Sequence, residues 1–201
     1  MVQYPRKTNP GVRDGTVQKK HRTDDSPHYR NYFQATPVID RLRPGAGFRH
    51  LLRKPEVVRF IGLLPDWAEL SRGLDAVVLA PGHRDRMGYY DLGIVAICAW
   101  ERSIAGRWSR EFVDEHREIL DRLGVPLEPS DRGHVSVAWT ERTAKAFQLL
   151  HIFLHELGHH HDRITTASER ESSRGETYAE DYANRYASQI WDAYVAEFGW
   201  S

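Results

Sequence analysis

Five of the eleven histidines in this 201-residue chain fall between His151 and His161, within Phe147 to Asp162, which reads FQLLHIFLHELGHHHD. Inside it, His155-Glu156-Leu157-Gly158-His159 forms an H-E-x-x-H pattern. On a helix each residue turns about 100°, so a four-residue step returns to nearly the same face about 6 Å along the axis. Two imidazoles placed this way can share one metal ion at Zn–N distances of about 2.0–2.1 Å. Glu156 lies beside that stripe, poorly placed to coordinate the same ion. It can instead reach a water in the open coordination position, as a general base must.

Drawn on a helical wheel, Ala146, Phe147, Leu149, Leu150, Phe153, Leu154 and Leu157 occupy one broad arc. His151, His155, His159 and Asp162 fall opposite, with Gln148 among them. The non-core face of this amphipathic helix therefore carries histidines where Lys and Glu are usual. The competing reading makes these ordinary core histidines, hydrogen-bonded to backbone.

A catalytic zinc takes three protein ligands and keeps one position open, so a third donor must come from another element. The carboxy-terminal segment offers Glu176, Glu180 and Asn184 at four-residue intervals. Small residues at Ala183 and Ala187 would let two helices approach closely, so Glu180 is the expected ligand and Glu176 its rival. Asn184, one turn on, would hydrogen-bond the outer nitrogen of a ligating His, and Asp162 would orient His159. Tyr178, Tyr182, Arg185 and His134 are candidates to steady an oxyanion. His160 and His161 read as end-of-helix residues.

HELGH followed about twenty residues later by E-x-x-A-N resembles the gluzincin branch of the zincin metallopeptidases. The wording FQLLHIFLHELGHHHD…EDYANRYA is most similar to the small ImmA/IrrE-type intracellular zincins. The resemblance covers about Phe147 to Ala187. It implies one Zn²⁺ per chain held by His155, His159 and Glu180, with Glu156 as base and Asn184 supporting the site. It further implies hydrolysis of peptide bonds in a peptide or protein substrate. His151 departs from the pattern, which has a small residue there, and the chain after Ile190 lacks the Leu-Leu-Met-Pro ending. The metzincin pattern fails, because Asp162 and Thr165 stand where Gly and His or Asp belong.

The elements that must position these residues are legible in outline. Residues 1–45 are polar, rich in Pro and Gly and locally basic, so they read as a flexible arm. Residues 46–201 read as one zincin-like α+β domain, with a small mixed sheet against the long His-bearing helix and the carboxy-terminal helix. Strands are expected at Leu74–Ala80, Leu92–Trp100 and His134–Trp139, all in that sheet, and 82–90 as polar loop. Helices are expected from Pro55, from Pro65, from Ser109 to Leu123 with Gly124 as stop, and over 175–199. His116 would then be solvated among charged neighbours, and 163–174 would be a surface connection.

Lys plus Arg balance Asp plus Glu at 28 each, which gives no argument for a polyanionic partner, and nucleic acid is not expected. The single Cys98 excludes an intrachain disulfide framework and a Cys-rich zinc site. It reads as a small buried hydrophobe. No apolar run reaches the roughly 18 residues of a membrane span and no secretory signal is evident, so the expectation is a cytoplasmic protein without a membrane partner. The alternative functional reading is a catalytically silent zincin-fold module that keeps its metal for regulation or binding, associated with nucleic acid through the basic arm.

Overall fold

Two apolar runs near the middle of the chain form the heart of a sheet. The computed structural model describes residues 12–13, 16–17, 29, 36–104, 106–130, 133–166 and 174–200. After a two-residue antiparallel pair, β1 (Val12–Arg13) with β2 (Thr16–Val17), come β3 (Val38–Arg41), β4 (Phe48–Arg49), α1 (Lys54–Ile61) and α2 (Trp67–Leu70). Next are β5 (Ala76–Ala80), β6 (Gly88–Asp91), β7 (Ile94–Cys98) and β8 (Trp100–Glu101). The main sheet has the order β3-β5-β7-β6, with β3-β5 and β5-β7 parallel and β6 antiparallel to β7. Every residue of β5 is buried, as a strand covered on both faces requires. Val77 and Leu79 face the helices, whereas Ala76, Val78 and Ala80 join Ala96 and Cys98 in a smaller cluster behind them.

Three expectations are corrected here. The folded region begins before residue 45, since β3 pairs with β5 and the Tyr29 hydroxyl donates to Asp40 Oδ2 at 2.7 Å. Apart from residues 12–13, 16–17, 29 and 36–45, the arm lies outside the described residues. The polar stretch 82–90 ends in β6, whose backbone pairs with β7 although Tyr89 and Tyr90 hide the alternation among polar neighbours. The strand β11 (His134–Val137) does not join the main sheet. With β9 (Gly106–Ser109) and β10 (Leu127–Pro129) it makes a separate antiparallel sheet, in the order β10-β11-β9.

Between those strands lie α3 (Arg110–Glu115) and α4 (Arg117–Arg122), interrupted at His116. Ser109 Oγ accepts from the Phe112 N–H at 3.1 Å, and Gly124 turns back with φ +61°, so both ends of the predicted helix are where its caps placed them. The His-bearing rod comprises α5 (Glu141–Phe147), a π-helical turn over Gln148–Phe153 and α6 (Leu154–Thr165). Thr140 Oγ1 caps it by accepting from the Thr143 N–H at 3.1 Å. Phe147, Leu150, Phe153, Leu154 and Leu157 are all fully buried or nearly so, each contributing roughly 1.5–3 kcal/mol of apolar burial where the side chain is large. The carboxy-terminal α7 (Gly175–Phe198) lies along α6. The fold is thus α+β, with small sheets and several helices. No helix among the described residues is long and apolar enough to cross a membrane.

Candidate metal centre

Local sequence explains how α6 and α7 come so close. A Cβ on Gly158 would stand 2.9 Å from Ala179 Cα and 3.1 Å from Tyr182 Cβ, so only glycine fits at that crossing. Asp162, one turn later, is fully buried, and its Oδ2 accepts from the backbone N–H groups of Arg174 at 2.9 Å and Gly175 at 3.3 Å. Its role therefore differs from the one expected. It does not orient His159 but caps the first turn of α7, fixing where Glu176 begins.

His155, His159 and Glu176 converge. His155 Nε2 is 3.1 Å from Glu176 Oε2 and 3.2 Å from His159 Nε2, while His159 Nε2 is 3.5 Å from the same Glu176 oxygen. Ligand atoms around a tetrahedral ion with bonds of about 2.0–2.1 Å stand about 3.3–3.4 Å apart. Two imidazoles and one carboxylate at these separations fit zinc in both donor chemistry and spacing. Glu180, the expected third donor, sits elsewhere. Its Oε2 accepts from His155 Nδ1 at 3.3 Å, on the opposite side of the ring, and its Oε1 accepts from Asn184 Nδ2 at 3.3 Å. The carboxylate that closes the triangle is thus Glu176, and Asn184 holds Glu180 instead of a histidine. With Nδ1–H donated to Glu180, the lone pair of His155 Nε2 faces the triangle.

The electrostatics follow from burial and these neighbours. Burial opposes a charge on His155, but Glu180, Glu156 and Glu176 outweigh it and raise its pKa. His159 moves the other way, through burial and the charge on His155. Burial also works against the Glu180 carboxylate, yet the hydrogen bond from His155 and the neighbouring His151 and His116 hold it below the usual range. Glu156 is 8 % exposed, and burial together with Glu176 pushes its carboxyl up to about 7, against the pull of His155 and Arg86. Gly88 of β6 makes room for this carboxylate, because a Cβ there would lie 2.8 Å from Glu156 Oε1 and 2.6 Å from Ile152 Cγ2.

Gly88, His155, Glu156, Glu176 and Glu180 line a cleft of about 1160 Å³. Glu156, His155, Glu176 and Glu180 form its floor and rim, Trp100, Trp108 and Phe112 supply apolar wall, and Arg86 and His134 also face it. Of the four proposed oxyanion groups only His134 lines the cleft. Tyr178 is turned to His161, whose Nδ1 meets its hydroxyl at 2.7 Å. Tyr182 is buried at 1 % exposure with its ring stacked on Tyr186, and the Arg185 guanidinium lies over those two rings.

Two histidines behave differently from their sequence reading. His116 is not simply solvated but lines the cleft, stacked on Phe112 at 4.1 Å between ring centroids and edge-on to His151 at 4.5 Å. Its sharing of a helical face with Phe112, four residues earlier, was the available signal. His160 does not cap a helix end. It is fully buried, with Nε2–H donated to the Arg72 carbonyl at 3.1 Å and Nδ1 accepting from the Tyr90 hydroxyl at 3.2 Å. Cys98 is buried, as expected, and burial pushes its thiol up to about 11.

Set against protein-family models, curated proteins and solved structures, the chain matches none of them.

Proposed function

We propose that this chain is a zinc-dependent metallopeptidase of zincin-like, gluzincin-type construction, hydrolysing peptide bonds in the cleft beside α6. The observation that carries the reading is the triangle of His155 Nε2, His159 Nε2 and Glu176 Oε2, with edges of 3.1, 3.2 and 3.5 Å, next to the buried Glu156. His155, His159 and Glu176 would hold the ion, and Glu180 would fix the tautomer of His155 through Nδ1. A zinc ion so bound supplies Lewis acidity toward a carbonyl and makes a water more acidic.

Glu156 does the proton work. Its carboxylate takes a proton from the attacking water as the C–O bond forms, then delivers it to the departing amine as the C–N bond breaks. Its burial and its position beside Gly88 limit competing solvent and hold the carboxylate against β6. The edge of β6 and the aromatic wall give an extended peptide a backbone to pair with and apolar surface to cover. His134 is the one side chain of the expected oxyanion set that faces the cleft.

The test is Glu156→Gln on the full chain, assayed against a peptide library digested by the wild type. The variant should keep its zinc and fold while cleavage falls by about 10²–10⁴-fold. Undiminished cleavage would reject Glu156 as the base, and a wild type that carries zinc but cleaves no peptide would reject the peptidase reading. The alternative of nucleic-acid association through the basic arm falls mostly on residues outside the described ones.

A further inference from the structure

His151 is the residue that the peptidase reading leaves without a task. It is 2 % exposed, yet among the described residues neither of its ring nitrogens makes a hydrogen bond. Nδ1 has no partner, and Nε2 stands 3.6 Å from Glu180 Oε2, beyond the 2.7–3.2 Å of an N–H···O bond. Buried polar atoms in a folded protein are almost always paired, so an imidazole with its buried Nδ1 left without a partner, beside a carboxylate, asks for a ligand.

His116 completes the group. Its Nδ1–H donates to the Phe112 carbonyl at 2.7 Å, which leaves Nε2 with its lone pair and no proton. One ring nitrogen of His116, one of His151 and an oxygen of Glu180 all lie within 4.8 Å of one another. The set comes from three separate elements: the break between α3 and α4, the π-helical turn, and α7. All three residues line the cleft, so an ion has a path in. Two outer contacts that hold metal ligands in place are already made, from Phe112 to His116 and from Asn184 Nδ2 to Glu180 Oε1 at 3.3 Å.

We infer that His116, His151 and Glu180 form a second binding site for a divalent transition-metal ion, separate from the triangle of His155, His159 and Glu176. Two imidazoles with one carboxylate suit zinc and its neighbours in the first transition row and do not suit calcium or magnesium, which take all-oxygen shells. The π-helical turn is what admits His151 to this set. Residues in such a turn advance by less than the α-helical 100°, so His151 and Gln148 swing toward the interior, at 2 % and 3 % exposure. The two sites share a border. Glu180 Oε2 faces both His155 Nδ1 at 3.3 Å and His151 Nε2 at 3.6 Å, so filling the second site bears on how His155 is held.

The inference is tested on the full chain, stripped with chelator, dialysed against micromolar zinc and measured for zinc per chain. Cobalt(II) absorption serves as a second readout. The expected wild-type content is two equivalents. His116→Ala and His151→Phe should each lower it to one, and so should His159→Ala, while the His116→Ala/His159→Ala pair should bind none. The decisive quantity is an equivalent that depends on His116 and His151 and survives His159→Ala. If no such equivalent exists, the second site is overturned even where the first centre fills normally. If it is the only one found, the second site stands and the metal centre of the peptidase reading fails. A wild-type count of two supports the second site independently of whether a variant folds well, and at a count of one its survival in His159→Ala tells which site is filled.

Discussion

Glu176 and Glu180 are one helical turn apart on α7, chemically identical, and in different surroundings. Glu176 stands at the open rim with its side chain 83 % exposed, near both imidazole Nε2 atoms. Glu180, at 30 %, lies behind His155 against His151. A ligand lost is a centre lost, whereas a lost outer contact usually weakens zinc by about 10–100-fold. Glu176→Gln should therefore abolish the zinc that depends on His155, and Glu180→Gln should leave it bound about 10–100-fold more weakly. Competition with a chromogenic chelator measures both, and the reverse ranking would return the ligand to Glu180. In the sequence the two were separable only by preference, because a stripe at 176, 180 and 184 offers the same face at each turn.

At the scale of elements, the site depends on how α6 and α7 cross. Gly158→Ala would bring a methyl to 2.9 Å from Ala179 Cα, which is backbone and cannot rotate away. The helices must separate, at about 1–3 kcal/mol for overpacking, and zinc affinity should fall with stability. A denaturation midpoint and zinc affinity matching the wild type would show that this crossing does not set the site. Asp162→Ala removes the buried acceptor of the Arg174 and Gly175 N–H groups and should cost roughly 1–3 kcal/mol. Hydrogen exchange should then rise first at the start of α7. Protection unchanged in that turn would count against the cap.

Over the whole molecule, buried ionisable groups set the pH range of the fold. Glu56 joins α1 to α5. Burial opposes its charge, but the Arg53 N–H at 2.8 Å and Lys145 Nζ at 3.1 Å hold its carboxyl below the usual value. With the folded pKa depressed, its stabilisation is full above the ordinary carboxylate range and is lost as pH falls through the folded pKa. His160, neutral in the core, acts in the same direction. Burial lowers its pKa from 6.5 to about 4, so between those values the unfolded chain binds the extra proton and stability declines as pH falls. Glu156, raised to about 7, opposes them over the upper part of the range, so urea midpoints measured from pH 7 to pH 4 should fall most steeply at the acid end. Glu56→Gln should flatten the acid end of that curve, and a curve of unchanged shape would remove Glu56 from the explanation.

What the sequence determined by itself was local and periodic. A four-residue spacing places His155 and His159 on one face wherever the helix packs, and Ser109, Thr140 and Gly124 mark helix ends through bonds to their own neighbours. The α+β character followed from the same periodicities. What only the tertiary structure decided was which distant groups arrive together. The turn of α7 that meets the histidines is set by Gly158 against Ala179 and by Asp162 against Gly175, contacts between residues 13 or more apart in the chain. His116 enters the cleft because its helix breaks there, and β11 joins β9 because pairing partners are chosen across the fold. Helical geometry fixes spacing along one rod, but the relative axial position of two rods is a packing outcome that no single stretch of sequence contains.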